Sequence, residues 1–277
     1  MKAELNIAWE KGDTEIDLFR KMSIILSEIY NVAFIAETHQ HRVSYYSNTI
    51  SQIAQRELSD LWIIAFSPSQ NRIRTTFLQA KYHRKNLLTS GIFHADFFQF
   101  ELLSTKATLL TGSSFNFPED CLSFSCCGSV GSYGVFYVDN TTSIDMAYSS
   151  AEILTAATSP TNYGQISVDL SFPTSPISIN NCNCIICSEL NYTYDIDFFT
   201  KNLLQLNIGA ELQINPKMLA YIRALLSKLD ASTTTTQLIT TINNISPIDD
   251  ANNNLEMKSE GNPNVLIINV DEQISNK

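Results

Sequence analysis

The sequence predicts an α/β fold in which a buried strand hairpin packs against amphipathic helices. Three observations carry this. The apolar run "LWIIAFS" at 61–67 is followed by the turn signal "PSQN" and then by an alternating β-branched and aromatic stretch over 72–82, the pattern of two paired buried strands. Residues 14–30 repeat apolar side chains at steps of three and four. The chain has 277 residues, 44% of them hydrophobic, enough to bury a sizeable core.

In chain order, Ile16, Phe19, Met22, Leu26 and Ile29 form the stripe of a first helix, with Asp13 or Thr14 as its cap. A weaker helical pattern covers 47–57, "SNTISQIAQRE", and runs into the hairpin. After the hairpin, 86–105 suggests a helix with Phe93, Phe97, Phe100 and Leu103 along one side, and 134–138 a further strand. The Ser-, Thr- and Pro-rich stretch 140–180 reads as loops and short strands. Helical character returns over 189–229, where Pro216 suits a first turn and Met218, Ile222, Leu225 and Leu229 align. Beyond Asp230 the composition turns to Thr, Asn and Ser, a partly disordered tail in which "NVLIINV" at 264–270 could add an edge strand. This divides the chain into a core at 1–138, an extension at 139–230 that could serve recognition or partner docking, and a low-complexity tail at 231–277.

No run reaches the roughly 18 apolar residues of a membrane span, and the early Glu4, Glu10 and Asp13 are unlike a signal peptide. A cytoplasmic protein is expected. The formal charge is −10, yet 61–95 contains no Asp or Glu while holding Arg72, Arg74, Lys81, Arg84 and Lys85. A basic island on an acidic chain suits holding a polyanion at one place.

Alternation puts Ile73, Thr75, Phe77, Gln79 and Lys81 on one strand face, which turns polar only at its last two positions. In an antiparallel hairpin Asp60, just before the first strand, comes beside them. An Asp carboxylate and a Gln carbonyl are hard ligands for Mg²⁺, which needs few protein groups, and a lysine nearby can orient water and stabilise phosphate charge. On these residues, "ELSDLWIIAF…FLQAK", residues 14–138 resemble the PD-(D/E)xK nuclease superfamily, the restriction-endonuclease-like fold, in its Q-x-K variant. The resemblance implies a mixed four-stranded sheet flanked by helices and phosphodiester hydrolysis with Mg²⁺ or Mn²⁺. It makes Asp60 the metal-binding aspartate, Gln79 the second metal position and Lys81 the catalytic lysine. Ser59 stands where the motif's name has proline, and Gln79 lacks the usual charge, so a further carboxylate is expected from Glu57, with Glu28 on the first helix as the alternative.

The expected function is a nuclease acting on DNA rather than RNA, in restriction or anti-phage defence, with Arg72, Arg74, Arg84 and Lys85 drawing in phosphates and a protein partner or second copy assisting. The alternative is a nuclease-fold subunit that binds or assembles without cleaving. Cys182, Cys184 and Cys187 have zinc spacing, with a fourth ligand available from Cys121, Cys126 or Cys127, but free or buried thiols are the favoured reading. His39 and His41 read as a solvated loop rather than a metal pair. His83 shares the Lys81 face if its strand continues; an exposed position after the strand end is the competing reading.

Overall fold

A computed structural model describes residues 1–36, 42–83, 91–110, 117–125, 128–161, 164–170, 195–228, 232–247 and 264–273. Its frame is a seven-stranded mixed sheet. The first five strands in sequence are β1 (Tyr30–Ile35), β2 (Arg42–Ser47), β3 (Gln52–Glu57), β4 (Leu61–Ser67) and β5 (Arg72–His83). They are followed by β6 (Ile92–Asp96), β7 (Gly131–Val138), β8 (Ile144–Ser150), β9 (Thr155–Ala156), β10 (Gln165–Asp169), β11 (Ala210–Glu211) and β12 (Val265–Gln273). The sheet runs β1, β12, β4, β5, β7, β8, with the short β11 also paired to β5. Strand β12 lies parallel to β4 and β5 parallel to β7, whereas β4 and β5 are antiparallel.

Helices cover both faces. Against Leu61, Ile63, Ala65, Leu78 and Ala80 pack α1 (Lys2–Ala8), α2 (Glu15–Ser27) and, later in the chain, the helix Ile196–Leu204. Helix α2 is closed at its start by a capping box between Thr14 and Asp17. Its buried stripe is Leu18, Phe19, Met22, Ile25 and Leu26, slightly rotated from the expected one, which leaves Ile29 exposed. The opposite face, with Trp62, Ile64, Phe66, Phe77 and Tyr133, is covered by α3 (Phe97–Ser104) and, beyond α4 at Ile196–Leu204, by α5 (Pro216–Leu226) and α6 (Thr233–Ile245). The β2–β3 hairpin and the small β6–β10–β9 sheet complete this layer.

Several expectations change. Residues 47–57 belong to the β2–β3 hairpin instead of a helix, because Tyr45 pairs with Ala54 and both turn inward. Within 86–105, Ile92–Asp96 is a strand and the helix begins only at Phe97, capped by Asp96. The Thr-rich 233–245 is a helix with a capping box at Ser232, and its Leu238 and Ile242 are fully buried. Strand β12 is interior, not an edge: it lies between β1 and β4. Val265, Leu266, Ile267 and Ile268 are all fully buried, the continuous apolar run of a strand packed on both faces.

Two polar contacts fix β12 at the start of β4: the Trp62 amide donates to the Asn264 carbonyl at 2.8 Å, and Asn264 Nδ2 donates to the Asp60 carbonyl at 3.1 Å. At the other end of the hairpin, Gly209 approaches the Thr75 carbonyl so closely that a Cβ would lie 2.4 Å from it, and its φ of +86° needs glycine as well. An interior β12 has a measurable consequence. Ile267→Ala is expected to lower unfolding free energy by about 2–5 kcal/mol in a urea titration, the range for truncating a buried isoleucine, whereas an edge position would cost far less.

Candidate functional site

The β4–β5 register pairs Leu61 with Leu78, which sets Asp60 beside Gln79 as alternation requires. Gln79 is 2% exposed. Its Nε2 donates to Asp60 Oδ2, and the Ala80 amide donates to the same oxygen at 2.7 Å. Lys81 follows on the same strand face, half-buried, and its charge acts on Asp60. Burial nevertheless wins: desolvation raises the Asp60 carboxyl above its ordinary 3.8, against the pull of Lys81 and of the Ala80 and Gln79 hydrogen bonds. A perturbed carboxyl with a lysine beside it, at the end of a sheet, has the physical marks of a functional site.

The other end of the Gln79 amide is also engaged. Its Oε1 accepts from Gln99 Nε2, and Gln99 Nε2 lies 3.4 Å from the Glu57 carbonyl. Gln99 sits in the first turn of α3, where its backbone amide donates to the capping Asp96 carboxylate at 2.9 Å. Asp60, Gln79 and Gln99 thus form a chain of side chains that crosses from the sheet to the helix above it. Helix α3 is tied in turn to the β2–β3 hairpin through Glu101, which accepts from Tyr45 Oη at 3.0 Å and Thr49 Oγ1 at 2.7 Å. Burial opposes its charge, but the hydroxyls of Ser47, Thr49 and Tyr45 hold the carboxyl below its ordinary value.

Next to Gln99 opens a cavity of about 240 Å³ lined by Arg42, Arg56, Glu57, Asp96 and Gln99. Arg56 Nε donates to Asp96 Oδ1 at 2.8 Å, and its guanidinium lies over the Phe98 ring at 4.8 Å. Glu57 is therefore placed on this cavity. The glutamate whose charge is felt at Asp60 is Glu15, in the first turn of α2, which also accepts from the Tyr82 amide at 3.1 Å. Glu28 is exposed at the opposite end of that helix, so the first helix does bring a glutamate near, but from its N-terminus.

The expected phosphate-binding arginines separate from the site. Arg74 is not a surface cation: it is 2% exposed, donating to the Gly209 carbonyl at 2.7 Å and to Glu211 at 3.0 Å. Arg72 pairs with the same Glu211 carboxylate at the turn end of the hairpin. Seven residues of strand place it roughly 20 Å from Gln79. Arg84 and Lys85, the zinc candidates Cys182, Cys184 and Cys187, and also Cys126, Cys127, His39 and His41, lie outside the described residues. Cys121 is a fully buried thiol pushed well up by that burial. Strand β5 does continue to His83, which pairs with Tyr137.

Sequence reasoning missed Gln99, Asp96, Glu15 and Tyr133. Tyr133 pairs with Gln79 across β5 and β7; its hydroxyl is buried with no hydrogen-bond partner among the described residues, and burial followed by the Asp60 charge raises it. Among the described residues, no three His, Cys, Asp or Glu side chains gather in a way that could hold a metal. A Mg²⁺ site does not require three, since one or two protein carboxylates with water and substrate phosphate suffice. Asp60 fits that role, because a cation would offset the cost of burying its charge. Gln79 presents its carbonyl oxygen to Gln99 and would need to release it first.

No protein family model, curated protein or solved structure matches the chain.

A carboxyl with a higher proton affinity folded than unfolded contributes stability in full below the unfolded value and loses it as pH rises through the folded one. Asp60→Asn is accordingly expected to melt above the wild type at neutral pH, with the difference closing as pH falls toward 3.8. A variant that melts lower at neutral pH would show that Lys81 and the hydrogen bonds outweigh burial.

Proposed function

We propose that the Asp60 end of the β4–β5 hairpin is the active site of a divalent-metal-dependent nuclease of the restriction-endonuclease-like kind, acting on DNA. The observation that carries the reading is the contact between Asp60 and Gln79 with Lys81 two residues further along the same face. The order antiparallel hairpin, helix, then a strand parallel to the second hairpin strand adds support, since it yields the mixed sheet that the resemblance implies.

In this reading Asp60 holds the ion. When bound, the Mg²⁺ or Mn²⁺ supplies Lewis-acid stabilisation of a phosphodiester. The Gln79 Nε2 and Ala80 amide fix the orientation of the Asp60 carboxylate, and Gln99 fixes Gln79. Lys81 carries a positive charge to the same place and stabilises the charge that builds on the phosphate. Tyr133 contributes a buried hydroxyl within the field of Asp60. A setting in restriction or anti-phage defence, with a protein partner or second copy completing the hold on DNA, extends the proposal.

A second reading, a nuclease-fold subunit that binds or assembles without cleaving, is favoured by one observation: both ends of the Gln79 amide are occupied by side chains. Incubation with DNA and with RNA in Mg²⁺ or Mn²⁺, beside Lys81→Ala, separates the two. The nuclease reading expects metal-dependent cleavage that falls about a hundredfold or more in the variant, which remains folded by circular dichroism. Absence of cleavage in either metal, or equal cleavage by both proteins, overturns it in favour of the second.

A further inference from the structure

The Gln79 amide has two unlike ends, and only one of them can face Asp60 at a time. One end donates and the other accepts. A carboxylate oxygen takes the donor, and Gln79 Nε2 does donate to Asp60 Oδ2. With a divalent cation on Asp60 the preference reverses, because positive charge attracts the carbonyl oxygen and opposes the N–H end. Gln79 then has to turn its amide over.

Gln99 stands in the way of that turn. Its Nε2 donates to Gln79 Oε1, so a turned Gln79 sets its own N–H groups against those of Gln99. Gln79 and Gln99 are 2% and 7% exposed, and bulk water does not step in as a substitute partner. The Gln99 backbone is held, since its amide donates to Asp96 Oδ1 at 2.9 Å in the first turn of α3. Its side chain has a second seat. Nε2 also lies 3.4 Å from the Glu57 carbonyl, and Gln99 borders the cavity of about 240 Å³, which gives the amide room to rotate.

We propose that Gln99 is an autoinhibitory latch on the Asp60 centre, keeping the Gln79 carbonyl from a divalent cation until the Gln99 side chain swings toward the Glu57 carbonyl. The inference deepens the nuclease reading and rests on its assignment of Asp60 and Gln79 as metal positions. A purely orienting role for Gln99 predicts the opposite sign: its loss would leave Gln79 disordered and weaken the hold on the ion.

Manganese titrations without nucleic acid, read by the electron paramagnetic resonance of free Mn²⁺, separate the two roles. Asp60→Asn identifies the site as the binding that this substitution removes. Gln99→Met keeps the side-chain length without the donor, and Gln99→Asn keeps an amide that falls one methylene short. Both are expected to bind Mn²⁺ about two- to tenfold more tightly than the wild type, the range for releasing one neutral hydrogen bond. In a Gln79→Met background, Gln99→Met should change the affinity by less than about twofold, because the latch acts only through the Gln79 carbonyl. Equal or weaker binding in the folded Gln99 variants, a gain that persists in the Gln79→Met background, or binding that survives Asp60→Asn unchanged overturns the inference. Tighter Mn²⁺ binding in the Gln99 variants with no cleavage of DNA or RNA removes the nuclease reading alone. Cleavage by a wild type whose Gln99 variants bind Mn²⁺ no more tightly removes the latch alone.

Discussion

The register between β4 and β5 is the constraint on which the rest of the molecule depends. All seven residues of β4 are buried, with Trp62, Ile64 and Phe66 in one layer and Leu61, Ile63 and Ala65 in the other. A slip of one residue would exchange these two sets and bring side chains shaped for one layer into the other, so the pairing is specified from both sides at once. Trp62 reinforces it: its ring stacks on Phe77 at 5.6 Å, and its Nε1 donates to Thr75 Oγ1 at 2.5 Å. Because the hydrophobic pattern sets the register, it also sets the distance between Asp60 and Gln79. The candidate chemistry is a by-product of packing.

What happens at that end of the sheet is a contest between burial and charge. Phe77 is the last wholly apolar position on its face, and beyond it the strand carries an amide and an ammonium. Asp60 keeps one oxygen bound to a side chain and a backbone amide, which limits its motion, while desolvation disfavours its ionised form. A bound cation would reverse that penalty at a stroke. The same residues therefore read as strained when considered alone and as prepared when considered with an ion.

Much of this was legible because period-two alternation is a local signal. The hairpin, the shared face of Gln79 and Lys81 and the approach of Asp60 all follow from it. The failures have physical reasons too. In 47–57, Ile50 and Ile53 sit three apart and imitate a helical stripe, yet both are exposed, Ile50 in the turn between β2 and β3 and Ile53 on the outward face of β3. The run at 264–270 is as apolar as an interior strand, but nothing local says that a segment some 200 residues later inserts beside β4. Gln99 reaches the site only because α3 crosses over the sheet, a placement decided by tertiary packing. Glu211, which pairs with both Arg72 and Arg74, is equally remote in sequence.

That last pairing changes how the basic stretch is to be understood. A segment free of acids in sequence need not be as positive in space as its composition suggests, since β11 brings Glu211 onto β5, where one carboxylate offsets half of the charge of Arg72 and Arg74. At the other end, Asp96 pairs with Arg56. With Arg56 paired, a single carboxylate shared between Arg72 and Arg74, and a formal charge of −10, an acid-free stretch of sequence does not by itself make a positive surface here.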